Sequence, residues 1–302
     1  MENSKEQIIV PVGNNGGEWL FHRWRQKAFH GWNWFRLYGF MFIGLIAIFI
    51  SILLLINHNA DPGRFLVSKT GISMIISLYV LALVVKVQLA ILPAMVSIED
   101  ISFEKMQILC STAITPLEIF RSISKVSLIF CLGLIFFVFL FEYYWIMWLS
   151  EIIDDKTLHV LPVVQDKFNT QMVIALIFYS AMMAGLSIAL SVRYKTRLAA
   201  IMGALLPLTL FFLSGITSDI IVWNVEERPE FISQIMDVTF PLGLPEGYIF
   251  ELAVRGKVTA PSGDDFTVGS ILFIYIIGAI TAWSLAWWSV VSLFKSSSRR
   301  HF

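Results

Sequence analysis

The chain has 302 residues, of which 57% are Ala, Val, Ile, Leu, Met, Phe, Trp, Tyr or Cys and only 15% are charged, with a mean hydropathy of +0.74. Soluble domains are roughly 45–50% apolar and about 25% charged, so this composition excludes an ordinary water-soluble fold and points to one bundle in lipid. Lys and Arg total 22, as do Asp and Glu, so the net-basic signature of a nucleic-acid binder is missing.

The first 18 residues are polar and the first apolar run begins late and at full length, which argues against a cleavable signal peptide. Glu18–Arg36 then reads as an amphipathic helix. At 100° per residue, Leu20, Phe21, Trp24, Ala28, Gly31, Trp32 and Phe35 share one arc, and His22, Arg25, Gln26, His30, Asn33 and Arg36 lie opposite. Aromatic residues on one face and basic ones on the other describe a helix lying in the headgroup plane.

A bilayer core needs about 20 consecutive apolar residues in a helix. Six stretches qualify: 37–56, 71–96, 126–150, 172–192, 198–218 and 268–294. The second contains only Lys86 as a charge and the third only Glu142. With a cytosolic N-terminus, the inner segments 1–36, 97–125, 193–197 and 295–302 hold 14 of the 22 Lys and Arg residues and the outer ones hold 7. That asymmetry places both termini inside. The outer segment 219–267 carries apolar pieces around Phe231–Met236 and Phe240–Val254, too short to span, which read as short re-entrant or interfacial helices. No repeat or linker divides the chain, so 1–302 is expected to be a single all-α polytopic membrane domain with six transmembrane helices.

The inner segment 97–125 is the most informative. Phe103, Met106, Leu109 and Cys110 follow a 3–4 spacing that suits a short helix with one apolar face. Thr115-Pro116-Leu117-Glu118 is a helix start, with Thr115 as N-cap, Pro116 at the first helical position and Glu118 three after the cap. A short helix, a break and a second helix entering the third span make a protruding knob.

These residues resemble the motif between the second and third spans of type-2 ABC transporter permeases, the ABC-2 family. The matching positions are the acids Glu99, Asp100 and Glu104, then Ile108 and Leu109, Thr112, Pro116-Leu117-Glu118-Ile119 and Lys125. The chain departs from that pattern where Glu104-Lys105-Met106-Gln107 replaces a Gly-Thr pair and Ala113 replaces a Pro. The motif covers about thirty residues; six spans, cytosolic termini, an amphipathic lead-in helix and a long outer segment extend the likeness over nearly the whole chain. The resemblance implies a permease subunit of an ATP-driven exporter in a bacterial inner (cytoplasmic) membrane. Its cytosolic coupling helix, with Glu99, Asp100, Phe103, Glu104, Met106, Leu109 and Thr112, would dock on a separate cytosolic ATP-binding subunit. A second permease, identical or related, would complete the path, with surrounding membrane lipid and no nucleic acid as partner. ATP and Mg would sit on the partner subunit, since this chain has no GxxxxGK[ST] loop and is expected to hold no cofactor or metal itself.

Charges inside a membrane are candidate functional groups. Lys86 lies about 15 Å from the inner end of its span and Glu142 about 24 Å from the inner end of its own, depths that argue against a direct pair. Lys86 and Gln88 are expected to face the bundle or a wet cavity, and Glu142 the outer interface; with Pro207, expected to kink the fifth span, they are candidates for the translocation path. Trp283, Trp287 and Trp288 read as an interfacial aromatic belt, and Ala181-x-x-x-Gly185 as a close helix contact. No GxSxG, HExxH or Cys/His cluster is present, and none of the five His residues lies within a span, so no catalytic residue is expected. Two alternatives stay open: a non-transporting scaffold that anchors a cytosolic complex, and an ion-coupled secondary transporter.

Overall fold

A computed structural model describes residues 16–30, 87–101 without 89 and 99, 114–132 without 131, 161–224, 258–259, 265–266 and 268–298. The regular structure of the described residues is helical apart from one ribbon of two two-residue strands. Helix α1 is Gly16–Phe29, α2 lies within 87–101, α3 begins at 116 and runs to 130, α4 is Leu161–Tyr194, α5 is Arg197–Asn224 and α6 is Val268–Ser298. Strand β1, Val258–Thr259, pairs antiparallel with β2, Asp265–Phe266. Two stretches among the described residues, Ile177–Tyr194 in α4 and Ile271–Ser296 in α6, are long and apolar enough to cross a membrane. The predicted first span, most of the second and third, and the proposed interfacial helices around 231–236 and 240–254 lie outside the described residues.

Several boundaries differ from the sequence reading. Helix α1 begins at Gly16, before Glu18, and runs to Phe29 with a bend at His30; the rest of the predicted helix, 31–36 with Gly31, Trp32, Asn33, Phe35 and Arg36, lies outside the described residues. Helix α2 continues past 96 to 101, because Ile98 and Ile101 are buried and keep the apolar face going into the inner segment. Helix α4 begins at Leu161, earlier than the apolar span itself. The β-ribbon falls within a segment read as helical pieces and loop; Pro261-Ser262-Gly263-Asp264 between its strands is a turn-forming sequence.

Helix α4 packs against both α5 and α6. The α4–α5 turn is tight: Lys195 takes a left-handed conformation (φ 54°) and its N–H donates to the Ser191 carbonyl at 2.7 Å. Thr196 then caps α5 by accepting from the Ala199 N–H at 3.2 Å. Helix α5 is continuous through Pro207, which removes the usual donor to the carbonyl of residue 203. Residue 203 is a glycine pressed against the α4 backbone: a Cβ there would lie 2.7 Å from the Leu186 carbonyl carbon and 2.8 Å from Ser187 Cα. The Ser187 hydroxyl donates across the same crossing to the Ala200 carbonyl at 2.8 Å. On the other side of α4, a Cβ on Gly185 would lie 2.9 Å from Ala282 Cβ, so the predicted small-residue contact is a crossing with α6.

Two buried clusters result. One joins α2, α4, α5 and α6 through Ala90, Tyr179, Met183, Ala204 and Tyr275. The other gathers the end of α2, the start of α3, the α4–α5 junction, the C-terminal part of α6 and all of α1's buried side chains. The segments read as inner thus converge at one end of the bundle, where Arg193, Lys195, Arg197 and Lys295 are exposed.

Gly203→Ala forces α4 and α5 apart because the obstacle is backbone, and it is expected to destabilise the protein by about 1–3 kcal/mol. The exposed neighbour substitution Met202→Ala should stay within about 0.5 kcal/mol. Thermal melting of both variants in the same detergent checks the difference.

Candidate functional site

The site is the junction of α1 with the inner segment. Helix α1 buries Gly16, Leu20, Trp24 and Ala28, a strict i, i+4 stripe, and carries Glu18 in its first turn and Lys27 in its last, as the helix dipole favours. The stripe does not face lipid: Leu20, Trp24 and Ala28 share a core with Ile101, Ile114, Ile119 and Ile123. Exposed His22, Arg25, Gln26 and His30 lie opposite, as the sequence reading places them.

Asp100, 1% exposed, is the centre of this junction. The Trp24 indole N–H donates to its Oδ2 at 3.0 Å and Arg23 Nε to the same oxygen at 3.0 Å. Lys27 Nζ reaches Oδ1 at 3.0 Å and Oδ2 at 3.1 Å, and Arg23 Nη2 reaches Oδ1 at 3.4 Å. Two charges and one neutral donor from a single turn of α1 therefore meet both carboxylate oxygens. Burial by itself raises the carboxyl's pKa; the hydrogen bond and charge of Arg23 and those of Lys27 outweigh it and hold Asp100 below the ordinary value of 3.8.

A second attachment joins α1 to the start of α3. Thr115 and Glu118 form the predicted capping box: the Glu118 N–H donates to Thr115 Oγ1 at 3.3 Å, and the Thr115 N–H donates to Glu118 Oε2 at 2.7 Å. One turn on, the Ser122 hydroxyl stands 2.6 Å from the Gly17 carbonyl and 2.8 Å from that of Glu118, and its one proton serves either. Gly16 lets the helix start approach, since a Cβ there would lie 2.6 Å from Ile114 Cγ1. Further along, Phe29 stacks on Phe130 at 5.3 Å, and Phe120 meets Trp283 and Trp287 edge-on at 5.8 and 5.2 Å. Two members of the tryptophan trio thus tie α6 to α3, while Trp288 is exposed beneath Arg193 at 5.4 Å.

Of the residues singled out from sequence, Asp100 is spent on α1. Gln88 is half-buried in α2 and Pro207 is buried in α5; their helices supply the other core cluster. Glu99, Phe103, Glu104, Met106, Leu109, Thr112, Lys86 and Glu142 lie outside the described residues. Arg23 and Lys27 were not anticipated as partners of Asp100. Each immediately precedes a stripe residue, Trp24 or Ala28, and so lies at the edge of the buried face. Among the described residues no group of His, Cys, Asp and Glu could hold a metal ion. No protein-family model, curated protein or solved structure matches this chain.

Asp100→Ala leaves the Trp24 N–H buried without this acceptor and takes a carboxylate from Arg23 and Lys27, which are partly exposed and can rehydrate. The expected cost is about 2–3 kcal/mol, read as faster hydrogen exchange across 16–29 in the full-length protein. Acid should act on the same contact. A lowered native pKa means that Asp100's contribution is complete above about 3.8 and is lost as pH falls through the native value. Exchange over α1, corrected for intrinsic rates, should therefore be unchanged from pH 7 to pH 5 and rise only below about pH 4.

Proposed function

We propose that the chain is the membrane-spanning permease subunit of an ATP-driven exporter of the ABC-2 type, working with a cytosolic ATP-binding subunit and a second permease. One observation carries this reading: α1 fastens both ends of residues 102–113. It holds the end of α2 through Asp100 and the start of α3 through Ser122, Ile114 and Glu118. A segment clamped at its base passes a push on its tip to α2 and α3 together instead of flexing. A coupling helix between a nucleotide-driven subunit and its spans needs that property.

In this reading Glu99 and Glu104, with Phe103, Met106, Leu109 and Thr112, face the ATP-binding subunit. Asp100 positions the knob from within. Closure of two ATP-binding subunits would displace both knobs, and a path between the two permeases would change its opening; Lys86, Gln88, Glu142 and Pro207 are candidates for its lining.

The test is affinity purification from the native cell in mild detergent, with mass spectrometry of what co-purifies. The expected outcome is a stoichiometric partner carrying a phosphate-loop motif, lost in Glu99→Lys and Glu104→Lys at unchanged membrane abundance. Asp100→Lys should lower abundance as well, because it places a third cation beside Arg23 and Lys27. Recovery of the chain without an ATP-binding partner, even after crosslinking, would overturn the reading in favour of a scaffold.

A further inference from the structure

The outer face of α1 is a charged surface that the Asp100 junction does not use. His22, Arg25, Gln26 and His30 are exposed there, and α3 adds exposed Arg121 and Lys125. Two of these cations converge on one ring. The Arg25 guanidinium and the Lys125 ammonium, from different helices, each stand 5.7 Å from the centroid of Phe21. Among the described residues neither has a carboxylate partner, and Glu18, an acid on the same helix, pairs with neither. Two like charges gathered around one aromatic ring, with no carboxylate to offset them among the described residues, favour an anion at this face.

The depth of this seat identifies the anion. The buried side of α1 shares its core with Ile188 and Val192 at one end of the candidate span in α4 and with Val290 and Leu293 at the corresponding end of α6. The seat is therefore level with the ends of the spans, where headgroup phosphates lie. Leu20, Trp24 and Ala28 are already committed to protein, so what α1 can offer a bilayer surface is its exposed cations and not that apolar stripe. The same end of the bundle repeats the pattern in Arg193 over exposed Trp288.

We propose that Arg25 and Lys125, seated on Phe21, hold the phosphate of an anionic phospholipid headgroup at the basic end of the bundle. The proposal is independent of the exporter reading, since it concerns the surface of α1 and α3 that faces away from the Asp100 junction. It fits an acidic lipid because a zwitterionic headgroup offsets its own phosphate charge, and each basic side chain near an acidic surface contributes about fivefold in affinity.

The experiment titrates the purified full-length protein in mild detergent with phosphatidylglycerol, phosphatidylcholine or inorganic phosphate, read by native mass spectrometry and thermal melting. Phosphatidylglycerol should remain bound and raise the melting temperature, and the other two should not at equal concentration. Arg25→Gln and Lys125→Gln should each weaken retention of one phosphatidylglycerol by about fivefold. Lys125→Arg should retain it, and Gln26→Ala, on the same exposed face, should behave as wild type. Because both cations are exposed, the lipid-free melting temperature should not move. Equal retention of phosphatidylcholine, or phosphatidylglycerol binding untouched by both Gln variants, overturns the proposal. Equal stabilisation by inorganic phosphate also overturns it, assigning the seat to a soluble anion. Gln variants that keep the lipid but lose an ATP-binding partner overturn it in favour of a protein interface.

Discussion

A carboxylate removed from water must be met by donors, and Asp100 sets the register of α1 for that reason. Its two oxygens are reached by Arg23, Trp24 and Lys27, which occupy a single helical turn. Sliding α1 by one residue would carry those donors around the helix and strand the charge, at a cost of several kcal/mol. The apolar stripe beside them is far more permissive, because Leu20, Trp24 and Ala28 contact branched side chains that can repack. The buried charge therefore contributes position more than net stability. The Gly17–Ser122 contact and the close approach at Gly16 then fix the other end of the same helix.

The bundle that receives α1 is held differently. Apolar helices that meet in lipid gain little by burying side chains against one another, and associate instead through close backbone approach and hydrogen bonds. Gly203 against the α4 backbone, Gly185 against Ala282 and the Ser187 hydroxyl on the Ala200 carbonyl supply both. Helix α4 lies between α5 and α6 and uses small residues toward each. Charged and aromatic contacts concentrate instead at the end where α1, α3 and the α4–α5 turn meet. Contacts in the apolar interior depend on shape, and contacts at the basic end depend on charge.

This division explains what the sequence made legible. Local rules were readable: Thr115, Pro116 and Glu118 spell their own helix start, and Arg193–Arg197 is a basic break between two apolar runs that becomes a tight turn. Amphipathicity of α1 was readable too, with His22, Arg25, Gln26 and His30 exposed as expected, while Asn33 and Arg36 lie outside the described residues. Its destination was not. A stripe of Leu, Trp and Ala suits a lipid surface as well as a protein groove, and nothing local says that an acid 76 positions beyond Trp24 will accept its indole proton. Similarly, Trp283 and Trp287 carry the signature of an interfacial belt, while their edge-on contacts with Phe120 come from how α3 crosses α6. Composition does not distinguish Asp100 as an inward-facing acid. The continuation of α2 through Ile101 does distinguish it, by turning position 100 onto the buried side.

The placement of α1 also limits how the parts can move. It touches α2 and α3 near the points where the chain enters and leaves 102–113, and α3 in turn meets α6 through Phe120. A displacement of α3 along its own axis must therefore either carry α1 with it or break the Ser122–Gly17 contact. In the second case α1 would stay with α2 through Asp100. The two attachments differ in kind: α1 meets α3 through the Ser122 hydroxyl on the Gly17 carbonyl, the Phe29–Phe130 stack and apolar packing, and meets α2 through a charge-assisted cluster with three donor side chains. A rearrangement that separates α2 from α3 must break one of these sets at α1: release from α3 gives up packing and one neutral hydrogen bond, whereas release from α2 strands a buried carboxylate, so α1 is expected to stay with α2.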